Sequence, residues 1–444
     1  MREPLLDTAG THRPGRPAAA MGGAVFVVGV LALALNLRPA VTAVPSILDD
    51  IGHQYGYSSV VLTMVATVPV ACFGIFSPVA ARSGRRFGDE RSLGGAIAAV
   101  ALGLALRSLE PGWGFFPGTI VAAGGIAFMN VLLSSLVKRR APQRAGQLLG
   151  AYLAMLYIGS MVSSGVSVPL FDAAGHDVGL PLMAWAVPAF VALVLWVPQL
   201  GRHTVPDPAV ADDVVSLARC PLAWQVTAFM GLQSLTYYAT LSFLPDLFRS
   251  RGLDATTAGL VNTSLSVGGL VTAVVAPIIV QRSGRGRRGP PLLIGSAVVS
   301  IIGTLGALVV PLGGALALML LLGLGQGVSI SLALYFIMAR AGSPSIAGTL
   351  SGMAQGIGYV IAALGPLAIG LLHTATGSWV GPFAVVAVLT GVTLVFGLLA
   401  ARDRTITASG AVRVSERPRP IEPGQPDDHG GGRFVAYHRD VPSP

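Results

Sequence analysis

Arg38 is the residue whose chemistry stands out. It lies in Leu35-Asn36-Leu37-Arg38-Pro39-Ala40, inside an otherwise apolar run. A charge within such a run is costly in lipid, so it faces a cavity or a partner. Its guanidinium is a fixed cation with a fork of donors, suited to an anionic or strongly dipolar small molecule. The competing role is structural, with the same fork bonding carbonyls of a neighbouring helix or snorkelling outward. Thr42 stands four residues on and is expected on the same face. Pro39 removes a backbone donor and is expected to kink the helix there.

Other polar residues occur at helical spacing in later apolar runs. Gln233, Ser234, Tyr237, Tyr238 and Ser242 share one run, and Ser234, Tyr238 and Ser242 form a stripe. Ser351, Gln355 and Tyr359 form a second stripe, and Tyr157, Ser160 and Ser164 lie in a third run. Asn130 and Gln326 add one amide each. A single membrane serine is more often glue between helices than a ligand contact. The substrate-binding candidates are therefore Arg38, Thr42, Asn130, Tyr157, Gln233, Tyr237, Tyr238, Gln326, Gln355 and Tyr359.

The missing groups are also informative. Asp49, Asp50, Asp246, Asp254, His53, His176 and His373 all fall near the ends of apolar runs. A buried carboxylate or histidine relay of the kind proton-coupled carriers use is thus not expected at mid-membrane, although Asp49 could serve from the outer end. Arg38 is left without an evident protein counter-ion, which favours an anion as its partner. Cys72 and Cys220 are isolated and have no metal-ligand spacing. No phosphate-binding loop, zinc helix motif or nucleophile elbow is present. The expectation is no enzyme, no cofactor and no metal.

The elements that must hold these residues follow from composition. Of 444 residues, 53% are hydrophobic and only 11% are charged, against about 25% charged in soluble domains. The mean hydropathy is +0.70. A membrane-spanning helix needs roughly 20 apolar residues. Twelve such runs are present, at 18–48, 59–81, 92–109, 114–137, 146–169, 180–200, 222–248, 257–280, 290–310, 314–339, 346–373 and 379–401. The expected fold is all-α and integral to the membrane. Its segments are 1–17 (cytoplasmic), 18–200 (first six-helix bundle), 201–221 (cytoplasmic linker), 222–401 (second bundle) and 402–444 (disordered cytoplasmic tail).

The net charge of +9 comes almost wholly from arginine. With both termini on one side, that side collects 25 of the 29 basic residues and the other side three. This asymmetry is the positive-inside pattern and places both termini in the cytoplasm. The basic loops then meet the anionic membrane face, so the partners are lipid and a small molecule, not nucleic acid. A monomer is expected.

The halves repeat at an offset of about 200. Arg82-Ser83-Gly84-Arg85 returns as Arg282-Ser283-Gly284-Arg285, and Pro45 returns as Pro245. Arg38 maps onto Tyr238. Parallel repeats of six spans are a common transporter plan, with the substrate site between the halves. Arg82, Arg85, Arg86, Asp89, Arg282 and Arg285 lie in the repeated inner turns. They are expected either to latch onto carbonyl ends of neighbouring helices or simply to anchor the loops.

The chain resembles the major facilitator superfamily over nearly all of 18–401. Arg86-Phe87-Gly88-Asp89-Glu90-Arg91 fits the later part of the family's loop pattern between spans two and three, but Arg85 stands where an Asp is usual. Within the superfamily the chain is similar to the cyanate porter and 2-nitroimidazole transporter group. That likeness rests on Asn36-Leu37-Arg38-Pro39-Ala40, on Gly231 to Tyr238, and on Leu244-Pro245. The resemblance implies a secondary transporter of a small anion or polar heteroaromatic compound. The alternatives are a drug-type exporter and a non-transporting sensor or scaffold.

Overall fold

The computed structural model describes residues 16–109, 112–141, 144–202, 217–282, 288–407 and 412–414. Apolar runs of span length leave backbone groups no partner but their own chain, so they form helices. Among the described residues these make twelve helical units. The first half holds α1 (Arg16–Leu35, continued by short pieces to Tyr55), α2 (Ser59–Phe87), α3 (Asp89–Leu106), α4 (Phe115–Arg140), α5 (Ala145–Ala173) and α6 (Gly179–Ala184 with Ala186–Trp196). The second holds α7 (Pro221–Ser250), α8 (Ala255–Arg282), α9 (Gly289–Gly306), α10 (Ala315–Ala339), α11 (Pro344–Thr376) and α12 (Val380–Ala400). Ten units are long and apolar enough to cross a membrane. The other two are α3, which opens on Asp89, Glu90 and Arg91, and α7, which carries the polar stripe.

Helix pairing repeats between the halves. In the first, α1 packs on α5 and α6, α2 on α4, and α3 on α4 and α6. In the second, α7 packs on α11 and α12, α8 on α10, and α9 on α10 and α12. The halves meet chiefly along α2–α11 and α5–α8. This is the architecture of two parallel six-helix repeats. One end of the bundle carries the start of α1, the end of α12 and the arginine-rich turn after α2. It is called the basic end below, and the opposite end the far end.

The tail differs from the expectation of disorder from residue 402. Arg404–Ile406 pairs antiparallel with Val412–Val414. Ile406 is fully buried, accepts from Gly342 N–H at 3.0 Å and donates to Arg340 O at 2.8 Å. Arg340 also donates to the last carbonyls of α12, Ala400 O at 2.9 Å and Ala401 O at 3.1 Å. A helix end leaves such carbonyls without partners, and an apolar isoleucine has a place to bury. Together they dock the start of a polar tail.

The inner turns differ too. Arg82, Arg85, Arg86 and Arg282 are exposed, and Arg285 lies outside the described residues. Asp89 is buried and pairs with Arg139. Glu90, also buried, pairs with Arg140 at 3.4 Å, and its carbonyl accepts from Trp196 Nε1 at 2.9 Å. Arg140 reaches Gln199 at 3.1 Å and lies 4.6 Å over the Phe26 ring. Burial lowers both arginine pKa values; at Arg140, Arg202 adds to the shift and Glu90 opposes it. The cluster ties α1, α3, α4 and α6 together within one half. Among the described latch residues Asp89 takes part, while Arg82, Arg85, Arg86 and Arg282 lie in the last turns of α2 and α8 with their side chains exposed.

Candidate functional site

Pro39 does more than kink the first span. The helix stops at Leu35 and resumes as Pro39–Thr42, with Arg38 as the cap at φ −112°, ψ −36°. Asn36 fastens the break, donating to Ala32 O at 2.9 Å and to Pro188 O of α6 at 3.1 Å. Gly159 of α5 faces the break: a Cβ there would run into Leu35 O and approach Pro39 Cδ at 3.4 Å. Only glycine lets α5 come this close.

The break aims Arg38 across the interface between the halves. Its Nη1 donates to Tyr238 Oη at 2.7 Å. Its guanidinium carbon lies 5.1 Å from the Tyr237 ring centre and 5.3 Å from that of Tyr238. Both rings are in range for cation–π attraction. Tyr359 lies 6.5 Å from Tyr238, and Phe73 of α2 packs 6.2 Å from Tyr238 and 5.5 Å from Tyr359. Tyr157 and Tyr359 are within electrostatic reach of Arg38. So is Tyr152, which donates to Asn130 at 3.3 Å. Arg38 itself is only half-buried, and among the described residues no carboxylate pairs with it. Tyr237 Oη is buried without a hydrogen-bond partner.

Arg38 and Tyr238 are equivalent positions of the two repeats. Points related by a two-fold axis touch only if both lie near that axis. Their hydrogen bond therefore puts the guanidinium close to the axis that relates the two halves.

Not every candidate joins this cluster. Thr42 is fully buried and bonds Arg38 O at 3.0 Å and Ser163 of α5 at 2.5 Å. These two contacts occupy its hydroxyl, and it acts as glue between α1 and α5. Gln233 bonds its own helix at Met230 O (3.0 Å) and Ser234 (2.6 Å). With Gln326 it lines a separate small cavity inside the second half, between α7, α9, α10 and α12. Gln355 bonds Ser351, one turn back, at 2.8 Å. The cage instead gains Phe73 and Tyr152. Phe73 carried no polar signal, and Tyr152 stands five residues before Tyr157, off its face.

An ion pair does join the halves, but at the far end. Arg249 of α7 lies 3.5 Å from Asp50 and 3.7 Å from Asp49. Arg249 and Asp49 are again repeat equivalents. A cavity of about 410 Å³ adjoins them, lined by Asp246, His373 and Trp379 among others, with His373 stacked on Trp379 at 3.6 Å. Half-buried pairs open to water are worth roughly 0–1 kcal/mol each. We expect Arg249→Ala to shift the population toward opening at the far end by a factor of about thirty or less. Cysteines at Thr63 of α2 and Thr374 of α11, which line that cavity from opposite halves, report it: cross-linking should fall in Arg249→Ala, and unchanged cross-linking would remove the pair's gating role.

Comparison with known proteins fits this architecture. The chain is 36% identical over 384 residues to the 2-nitroimidazole transporter of Escherichia coli (strain K12), covering 86% of this chain and 96% of that protein. It is 25% identical over 353 residues to the cyanate transport protein of the same organism, covering 79% and 91%. The fold matches the crystal structure of a bacterial homologue of the human lysosomal transporter Spinster with a TM-score of 0.70 at 14% identity, over 87% of this chain and 98% of that one. The Major Facilitator Superfamily model matches residues 27–366 and 230–427. With the repeated helix pairing and the relatives of near full length, these matches show that the chain belongs to the Major Facilitator Superfamily of membrane transporters.

Proposed function

We propose that this transporter is a secondary active carrier moving a small anionic or polar solute, cyanate-like or nitroimidazole-like, by alternating access in the cell membrane. The basic end faces the cytoplasm, in line with the positive-inside asymmetry. The observation carrying the proposal is Arg38: a half-buried guanidinium on the pseudo-two-fold axis, unpaired by any described carboxylate and caged by Tyr237, Tyr238 and Tyr359. The relatives named for cyanate and 2-nitroimidazole support this class of solute.

Of the five guanidinium donors, one described bond goes to Tyr238. The fork can take the electronegative end of a solute, while Tyr237 Oη offers a free hydroxyl and the rings stack on a flat one. With the far end held by Arg249, the solute leaves toward the basic end. Rocking of the halves about α2–α11 and α5–α8 reverses access. We expect cyanate or 2-nitroimidazole to raise the melting temperature of the purified protein and to be taken up by proteoliposomes. If neither stabilises it nor crosses, the assigned solute class is wrong.

A further inference from the structure

A second arginine lies between Arg38 and the far end. Arg107 follows α3 and is 1% exposed. Its Nη1 donates to Ala40 O at 2.6 Å, a carbonyl of the short helix beyond the break in α1. That contact accounts for one nitrogen. Nε and Nη2 are buried with no partner, and so is the nearby hydroxyl of Thr119. Among the described residues no carboxylate pairs with Arg107. A buried cation with unused donors is costly, and a role confined to capping Ala40 leaves two nitrogens unexplained.

These groups line a cavity shared by α1, α2, α4 and α7, whose walls include Pro45, Pro69, Thr119 and Ser242. Its volume is about 10 Å³, room for one water at most. Ser242 belongs to the second half, so parting of the halves removes that wall and opens the cavity. Position along the first span sets the order from the far end: the Asp49–Arg249 pair, then the Arg107 cavity, then Arg38.

We propose that Arg107, with the hydroxyls of Thr119 and Ser242, is a second binding station for a small monovalent anion, entered from the far end when the halves separate there. It rests on the carrier reading above and adds a step to it. An anion meets Arg107 first and passes to Arg38 as the cavity closes to its present size. Closure returns Arg107 to the unpaired state seen here, so the station does not hold what it hands on.

The test is chemical access at Thr119. Cys72 and Cys220, both buried, are replaced by Ser, and Thr119→Cys is introduced in the full-length protein in proteoliposomes. It is labelled from the far end with methanethiosulfonates bearing a sulfonate or a trimethylammonium group. Corrected for intrinsic reactivity, the anionic reagent should react about tenfold faster, and Arg107→Gln should abolish that preference. Arg107→Lys keeps the charge and should retain it, which separates local charge from damage to the fold. The proposal is overturned if the preference survives Arg107→Gln, if Arg107→Lys loses it, or if neither reagent reaches the thiol. Labelling needs no transported solute, so the Arg38 reading can fail in a flux assay while this result stands.

Discussion

Replacing Arg38 by Ala should reduce uptake of the transported anion by about thirtyfold or more, because truncating one member of a hydrogen-bonded charge contact costs about 2–5 kcal/mol. The protein should still fold. Arg38 lies at a helix break already held by Asn36 and accommodated by Gly159. Arg38→Lys should recover only part of the loss. Lysine restores the charge but not the planar fork or its stacking over Tyr237 and Tyr238. Tyr238→Phe removes the hydroxyl that orients the guanidinium and should weaken apparent affinity about tenfold, the scale of a hydrogen bond to a charged group. Proteoliposome flux with matched protein content measures all three. Normal anion uptake by Arg38→Ala would dismiss the proposed role of this side chain.

The second large effect concerns stability. Asp89→Ala leaves Arg139 unpaired beside a buried helix start. Breaking a buried pair costs about 3–5 kcal/mol. Arg139 keeps 31% of its side chain exposed, so water makes up part of the loss and about 2–3 kcal/mol is expected. Arg82→Ala, near the end of α2 and exposed, should change stability by less than about 0.5 kcal/mol. Thermal melting of the detergent-solubilised variants compares them. Equal melting would mean that Asp89 does not fasten α3 to α4. Like the Arg38 series, this comparison separates two side chains that sit close together in the sequence.

The twelve spans were legible because lipid allows a chain few choices: a run of apolar residues must satisfy its own backbone, and helices do so. Even α3, short and charged at its start, was found in place. Segment ends were less legible. The second span was read to 81 yet runs to Phe87, since arginines that would end an apolar run still continue a helix into water. The first span was read as one piece. The backbone breaks at residues 36–38, and only the contacts with α5 and α6 show how that break is held.

Hydropathy, the repeat offset and the lone arginine within an apolar run were all set by residue order, because each depends on type and spacing along one chain. From them came the helical fold, the two-fold plan and Arg38 as the group to watch. Which polar residues meet Arg38 depended on packing between helices far apart in sequence. Thr42 shares its ideal helical face yet turns toward α5, while Tyr237 and Tyr238 reach it from the other half. The same holds for Arg107, whose unpaired nitrogens are visible only once the far ends of four helices close around them. Spacing states which faces a helix has; only tertiary packing decides what each face meets.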